Sequence, residues 1–117
     1  MVQVQCAPKY VTRLNSSTSI SATSGSAIFS SPLTTPDYGT LHILVSVSEP
    51  GTLQIQITDA GNTTTTYLNA GNALSANTLY EFDIAADFGM QINLIWTSSS
   101  STVTSATVFV IVLFEQF

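Results

Sequence analysis

From Thr40 to Thr58 the chain reads TLHILVSVSEPGTLQIQIT, with Leu41, Ile43, Val45 and Val47 on one side of an extended backbone and Leu53, Ile55 and Ile57 resuming the pattern after a break. A period of two is that of a half-buried strand. The break holds Glu49-Pro50-Gly51-Thr52. Proline presets the φ of the second position of a type II turn and glycine supplies the positive φ of the third, so the spacing predicts a tight reversal that pairs the two runs as a hairpin.

The same alternation recurs on either side. Tyr80, Phe82 and Ile84 oppose Glu81 and Asp83, and Ile92, Leu94 and Trp96 oppose Gln91 and Asn93, which predicts two strands with wet outer faces. Ser19–Thr23, Ala27–Ser30 and Thr63–Leu68 read as shorter strands and Val2–Gln5 as a short edge strand or an arm followed by Tyr10–Leu14, while Ala73–Asn77 is a helical turn or a connector carrying Leu74 inward. Pro32, Pro36 and Asp37 make Ser31–Gly39 a loop. The last stretch differs: Val108, Val110, Val112 and Phe114 share one face and Phe109, Ile111 and Leu113 the other, so both faces are apolar. Such a strand either lies covered on both sides or turns one face to another subunit, and in a small antiparallel sandwich one face is normally wet.

No stretch of ten residues carries helical apolar spacing with capping signals, so the chain reads as all-β. Roughly eight strands with turns every 8–12 residues predict an antiparallel β-sandwich, an eight-stranded jelly roll in the first place. An immunoglobulin-like sandwich is the alternative, weakened by the lack of a Cys, Trp, Cys signature. Residues 1–14 are expected to form an arm or edge strand and 15–117 a single domain.

Composition narrows the function. Of 117 residues 44% are hydrophobic and 8% charged, about a third of the usual charged share, and hydroxyl and amide side chains fill the difference. Lys9 and Arg13 are the only basic residues, so no patch exists to neutralise phosphates or anionic lipid, and neither nucleic acid nor a membrane is an expected partner. The seven carboxylates have almost no cations to lose, which predicts tolerance of acid. Cys6 stands alone and reads as a small buried residue, and the N-terminal MVQVQCAPKY has no signal-peptide pattern, so export by another route is expected.

Little chemistry is encoded. His42 could serve a triad, but no GxSxG-type nucleophile accompanies it, and a surface or interface histidine is the plain reading. Glu81 and Asp83 could form a carboxylate pair, yet no calcium-loop pattern is present, and keeping a strand face wet explains them. No catalytic residue, cofactor or metal is expected. Tyr38 and Tyr67, near turns, are the candidate glycan contacts, since Tyr80 and Trp96 share the phase of the core. Asn15 and Asn62 match the glycosylation acceptor pattern, common by chance in so hydroxyl-rich a chain.

Across Gly39–Thr58, Tyr67–Ile84 and Gln91–Phe114 the chain resembles small single jelly-roll structural proteins of viruses, in composition nearest to coat, penton or turret components from hot, acidic archaeal habitats. The resemblance implies a non-enzymatic virion subunit, extracellular or in the particle, assembling as a homo-oligomer with other structural proteins. The side chains expected at the subunit interface are Phe109, Ile111, Leu113 and Phe117. Lacking a basic arm, the chain suits an outward-facing place rather than contact with genome. A carbohydrate-binding or adhesive module, and a filament subunit completed by the donated strand Val2–Gln5, are the alternatives.

Overall fold

The computed structural model describes residues 11–61 and 64–117. Val2–Gln5, Cys6, Lys9, Tyr10 and the acceptor Asn62 lie outside the described residues. The described strands are β1 (Val11–Arg13), β2 (Ser19–Thr23), β3 (Ser26–Ala27), β4 (Leu33–Thr34), β5 (Gly39–Val47), β6 (Gly51–Thr58), β7 (Thr65–Leu68), β8 (Ala73–Leu74), β9 (Tyr80–Ala86), β10 (Gln91–Ser98) and β11 (Ser105–Gln116). Three pairs of short strands each share one neighbour: β1 and β2 both border β11, β3 and β4 both border β10, and β7 and β8 both border β6. Each pair is one long strand interrupted in the middle.

Eight strands then remain, in chain order, split between two antiparallel sheets. The first sheet runs β1/β2, β11, β5, β9, and the second runs β3/β4, β10, β6, β7/β8. Numbered consecutively, the orders are one-eight-three-six and two-seven-four-five, the crossing connectivity of a jelly roll. In an immunoglobulin-like sandwich the first two strands share a sheet, and here they do not.

This topology overturns the expected hairpin. β5 pairs with β11 and β9, and β6 pairs with β10, β7 and β8, so Pro50-Gly51 turns a corner from one sheet to the other. Nor is Gly51 left-handed, since the described glycines with positive φ are Gly25, Gly71 and Gly89. Glycine is required there for another reason: a Cβ would collide with the Thr97 carbonyl and the Trp96 indole nitrogen. The corner is tight because Trp96 fills the core directly beneath it.

The apolar alternation does what its period dictates. Leu41, Ile43, Val45, Leu53, Ile92, Leu94, Trp96, Val108, Val110 and Val112 are all fully buried between the sheets. At roughly 1.5–3 kcal/mol for each fully buried large side chain, this layer is the main source of stability. Tyr80, Phe82 and Ile84 share the inward phase but are only half-buried, because β9 is the edge of its sheet.

Two of the three interruptions are filled by buried asparagines. Between β1 and β2, Asn15 Nδ2 donates to the Val110 carbonyl at 2.8 Å and Asn15 Oδ1 accepts from the Val112 amide at 2.9 Å, standing in for a strand residue against β11. Between β3 and β4, Asn93 Oδ1 accepts from the Phe29 amide and its Nδ2 donates to the Phe29 carbonyl, each at 3.0 Å. Ala27–Ser30 is therefore not the continuous strand its composition predicts: the ladder stops at Ala27, while Ile28 and Phe29 turn into the core. Asn93 has the outward phase expected of it, yet it is buried, engaged by the segment that crosses it. Leu33–Thr34 pairs with β10 despite the flanking prolines, because the two-residue ladder fits between them. Ala73–Leu74 is a strand rather than a helical turn, and it does carry Leu74 inward.

Candidate functional site

With the inner faces sealed, surface chemistry is left to the two outer faces and the loops at the ends of the sandwich. On the first sheet the register sets Arg13, Leu113, His42 and Asp83 in one row across β1, β11, β5 and β9. The next row holds Ile111, Leu44 and Glu81, and Phe109 and Ser46 pair beyond it. Side chains at such positions stand about 4.5–5.5 Å apart and act as a unit. This face is therefore a patch of aliphatic and aromatic groups threaded by charge.

The charge converges on His42. Its Nδ1 lies 2.7 Å from Asp83 Oδ1 and 3.9 Å from Glu81 Oε1, and its Nε2 lies 3.4 Å from Glu115 Oε2. The hydrogen bond to Asp83 is the largest influence and raises the imidazole pKa above its ordinary 6.5; desolvation, next in size, works against it, and the charge of Asp83 and then Glu115 add to the rise. Both ring nitrogens thus face carboxylates. A catalytic base needs one nitrogen turned to a nucleophile, and this histidine is arranged instead as the cation of an ion cluster. His42, Glu81 and Asp83 bring three ligand atoms within 4.8 Å of one another, a donor set in which a cation would compete with the close His42–Asp83 contact.

The expected interface residues occupy this same face. Phe109 is 42% exposed, Ile111 and Leu113 are half-buried, and Phe117, at the end of β11, is 83% exposed. The reverse side of β11, from Val108 to Phe114, is buried in the core. Sequence reasoning singled out His42 apart from the Glu81 and Asp83 pair and missed that the three meet. Only the register of β5 against β9 joins them, since no local spacing connects position 42 to positions 81 and 83.

Tyr38 and Tyr67, the candidate glycan contacts, are 57% and 50% exposed. The fold sets them apart. Tyr67 pairs with Gln56 on the outside of the second sheet, whereas Tyr38 lines a cleft at one end of the sandwich together with Phe88. Asn15 is no free acceptor: its amide is buried and bound to Val110 and Ser17. No described helix is long and apolar enough to cross a membrane.

Neither a protein-family model nor a curated protein sequence matches the chain. Among solved structures, the fold is similar to that of a chain of the T13 IBDV viral particle, with a TM-score of 0.58 and 14% identity over 92% of this chain and 30% of that one. A chain of infectious bursal disease virus, Gx strain, aligns with a TM-score of 0.55 and 16% identity over 93% of this chain and 32% of that one. A family 29 carbohydrate-binding module from Piromyces equi aligns over 95% of this chain and 93% of that one, with a TM-score of 0.44 and 12% identity. The chain spans about a third of the length of the viral chains. At these identities the likeness to the virus-particle chains is one of fold: an all-β, two-sheet jelly-roll sandwich of the kind found in viral particles.

Proposed function

We propose that the chain is a non-enzymatic structural subunit of a virus particle, and that it meets other copies or neighbouring particle proteins through the outer face of its first sheet. The observation that carries this reading is the composition of that face. Phe109, Ile111, Leu113 and Leu44 form an apolar strip along the two central strands of the sheet, and the exposed Phe117 follows β11. Apolar surface returns about 25 cal/mol per Å2 when removed from water, and a standard interface hides about 800 Å2 on each partner. A strip of this kind, bordered by charges that fix register, has the anatomy of an interface with an apolar centre and polar rim. Similarity of fold to chains of viral particles supports the particle setting, and with it a location in the virion.

The test is imaging and sizing of the purified protein. Rings, shells or discrete oligomers in negative-stain images, replaced by single domains in Ile111→Asp with an unchanged circular dichroism spectrum, are expected. A protein that stays monomeric at millimolar concentration, with Ile111→Asp indistinguishable from it, would refute the reading.

A further inference from the structure

Beside the apolar strip, the outer face of β5 and β9 gathers a set of metal-ligating side chains. His42 stands directly opposite Asp83 in the ladder, and Glu81 stands opposite Leu44, one outward position along. Tyr80, Phe82 and Ile84 take the inward phase of β9, which commits Glu81 and Asp83 to the same outer side as His42. One nitrogen and two carboxylate oxygens thus meet within 4.8 Å of one another, with His42 Nδ1 2.7 Å from Asp83 Oδ1 and 3.9 Å from Glu81 Oε1.

Those distances are close to what one small ion requires. Donors held at about 2.0–2.2 Å from a tetrahedral zinc lie about 3.3–3.5 Å apart, so the shorter separation has to open and the longer one to close by roughly 0.6 Å each. The Glu81 and Asp83 side chains are 57% and 56% exposed and belong to the edge strand of the sheet, so a change of rotamer makes that shift without disturbing the core. The far side of the ring is engaged as well: His42 Nε2 lies 3.4 Å from Glu115 Oε2 on the neighbouring β11. A ligating histidine ordinarily donates its second N–H to such a carboxylate, which fixes the tautomer and turns the other lone pair to the metal. Here that lone pair belongs to Nδ1, on the side of Asp83 and Glu81.

We propose that His42 Nδ1, Asp83 and Glu81 bind a divalent transition-metal ion of the zinc type, with water completing a four-coordinate site. The donors select the ion. Imidazole suits zinc and its neighbours, whereas calcium takes six to eight oxygens and magnesium a near-octahedral oxygen shell, and three side chains with a nitrogen among them supply neither. Charge acts in the same direction, since a neutral imidazole and two carboxylates carry two negative charges that a divalent ion cancels. Among the described residues Glu81 and Asp83 have no ion-pair partner other than His42. Arg13, in the same row, is separated from His42 by Leu113 and donates to the Ser16 carbonyl. One chain supplies all three donors, so the proposal is independent of the assembly reading.

The experiment titrates the full chain, freed of metal by a chelator and dialysed, with Zn2+ in a non-coordinating buffer at neutral pH, using calorimetry, with Mg2+ and Ca2+ run alongside. His42 is the only histidine, so its ring resonances report which nitrogen is bound. One Zn2+ per chain, coordination through Nδ1 and no saturable binding of Mg2+ or Ca2+ are expected. His42→Gln should abolish binding, and Asp83→Asn and Glu81→Gln should each weaken it about tenfold or more, while Cys6→Ser should leave it unchanged. Both carboxylates are exposed, so their amide variants should keep the parent thermal midpoint in the metal-free state, which is measured in parallel. No binding at millimolar Zn2+, binding that survives His42→Gln, affinity unchanged in both carboxylate variants, affinity lost in Cys6→Ser, coordination through Nε2, or Ca2+ held as tightly as Zn2+ would each overturn the proposal.

Discussion

The outer faces of the two sheets are made of different chemistry. On the first sheet Phe109, Ile111, Leu113 and Leu44 stand among Arg13, His42, Glu81, Asp83 and Glu115, whereas the outward positions of β6 and β10 are Thr52, Gln54, Gln56, Gln91, Asn93, Ile95 and Thr97, without a charge. Both faces belong to one small sandwich with one core, so folding cannot explain the contrast. Amides and hydroxyls keep a face wet without attracting a particular neighbour. An apolar strip threaded by ion pairs instead favours burial in a defined register, because a partner must supply matching charge positions. The proposed assembly role rests on that difference: association through the first sheet, with the second facing solvent.

The comparison can be broken at several points, and the largest effect lies beneath the faces, where the two sheets are alike. Each has at least one interrupted edge bridged by a buried asparagine, Asn15 beside β11 and Asn93 beside the gap between β3 and β4. Asn15→Ala leaves the Val110 carbonyl and Val112 amide without their side-chain partner, and Asn93→Ala does the same to both backbone groups of Phe29. Each substitution should cost about 2–4 kcal/mol in urea unfolding, the loss expected for two buried polar groups. A cost under about 0.5 kcal/mol for either would show that its edge is held by something else.

A smaller effect distinguishes the faces by pH. Because the folded-state pKa of His42 is raised, its contribution to stability is fully present below the ordinary 6.5 and disappears as pH rises through the folded value. The unfolding midpoint should therefore fall on going from about pH 6 to about pH 8, and His42→Gln should flatten that slope. A slope that survives His42→Gln would contradict the assignment. Acid tolerance is an expectation from the scarcity of cations alone, and the His42 cluster works against it, since its ion pairs are lost once Asp83, Glu81 and Glu115 take up protons. The smallest effect belongs to the second sheet, where Gln54→Asp on the outside of β6 should change monomer stability by no more than about 0.5 kcal/mol.

Much of this fold can be read along the chain, and what cannot be read is long-range. The inward positions of β5, β6, β10 and β11 follow from a period of two, a local property. The Pro50-Gly51 reversal is also local, but a hairpin and a corner between sheets begin with the same residues. What decides is the close packing of Trp96 under Gly51, set by a strand more than forty positions later. The ladder gap after Ala27 escaped prediction because the Asn93 side chain, not a neighbouring strand, takes both backbone groups of Phe29. The ion cluster escaped for the same reason, since His42 and Asp83 meet only through register.

The most direct test compares charge placed on the two faces. Sedimentation velocity over a concentration series is measured for the unaltered chain, Ile111→Asp and Gln54→Asp. Association that grows with concentration in the unaltered chain and in Gln54→Asp, but is absent in Ile111→Asp, is the predicted result. Association that persists in Ile111→Asp and vanishes in Gln54→Asp would place the contact on the opposite sheet and contradict the account.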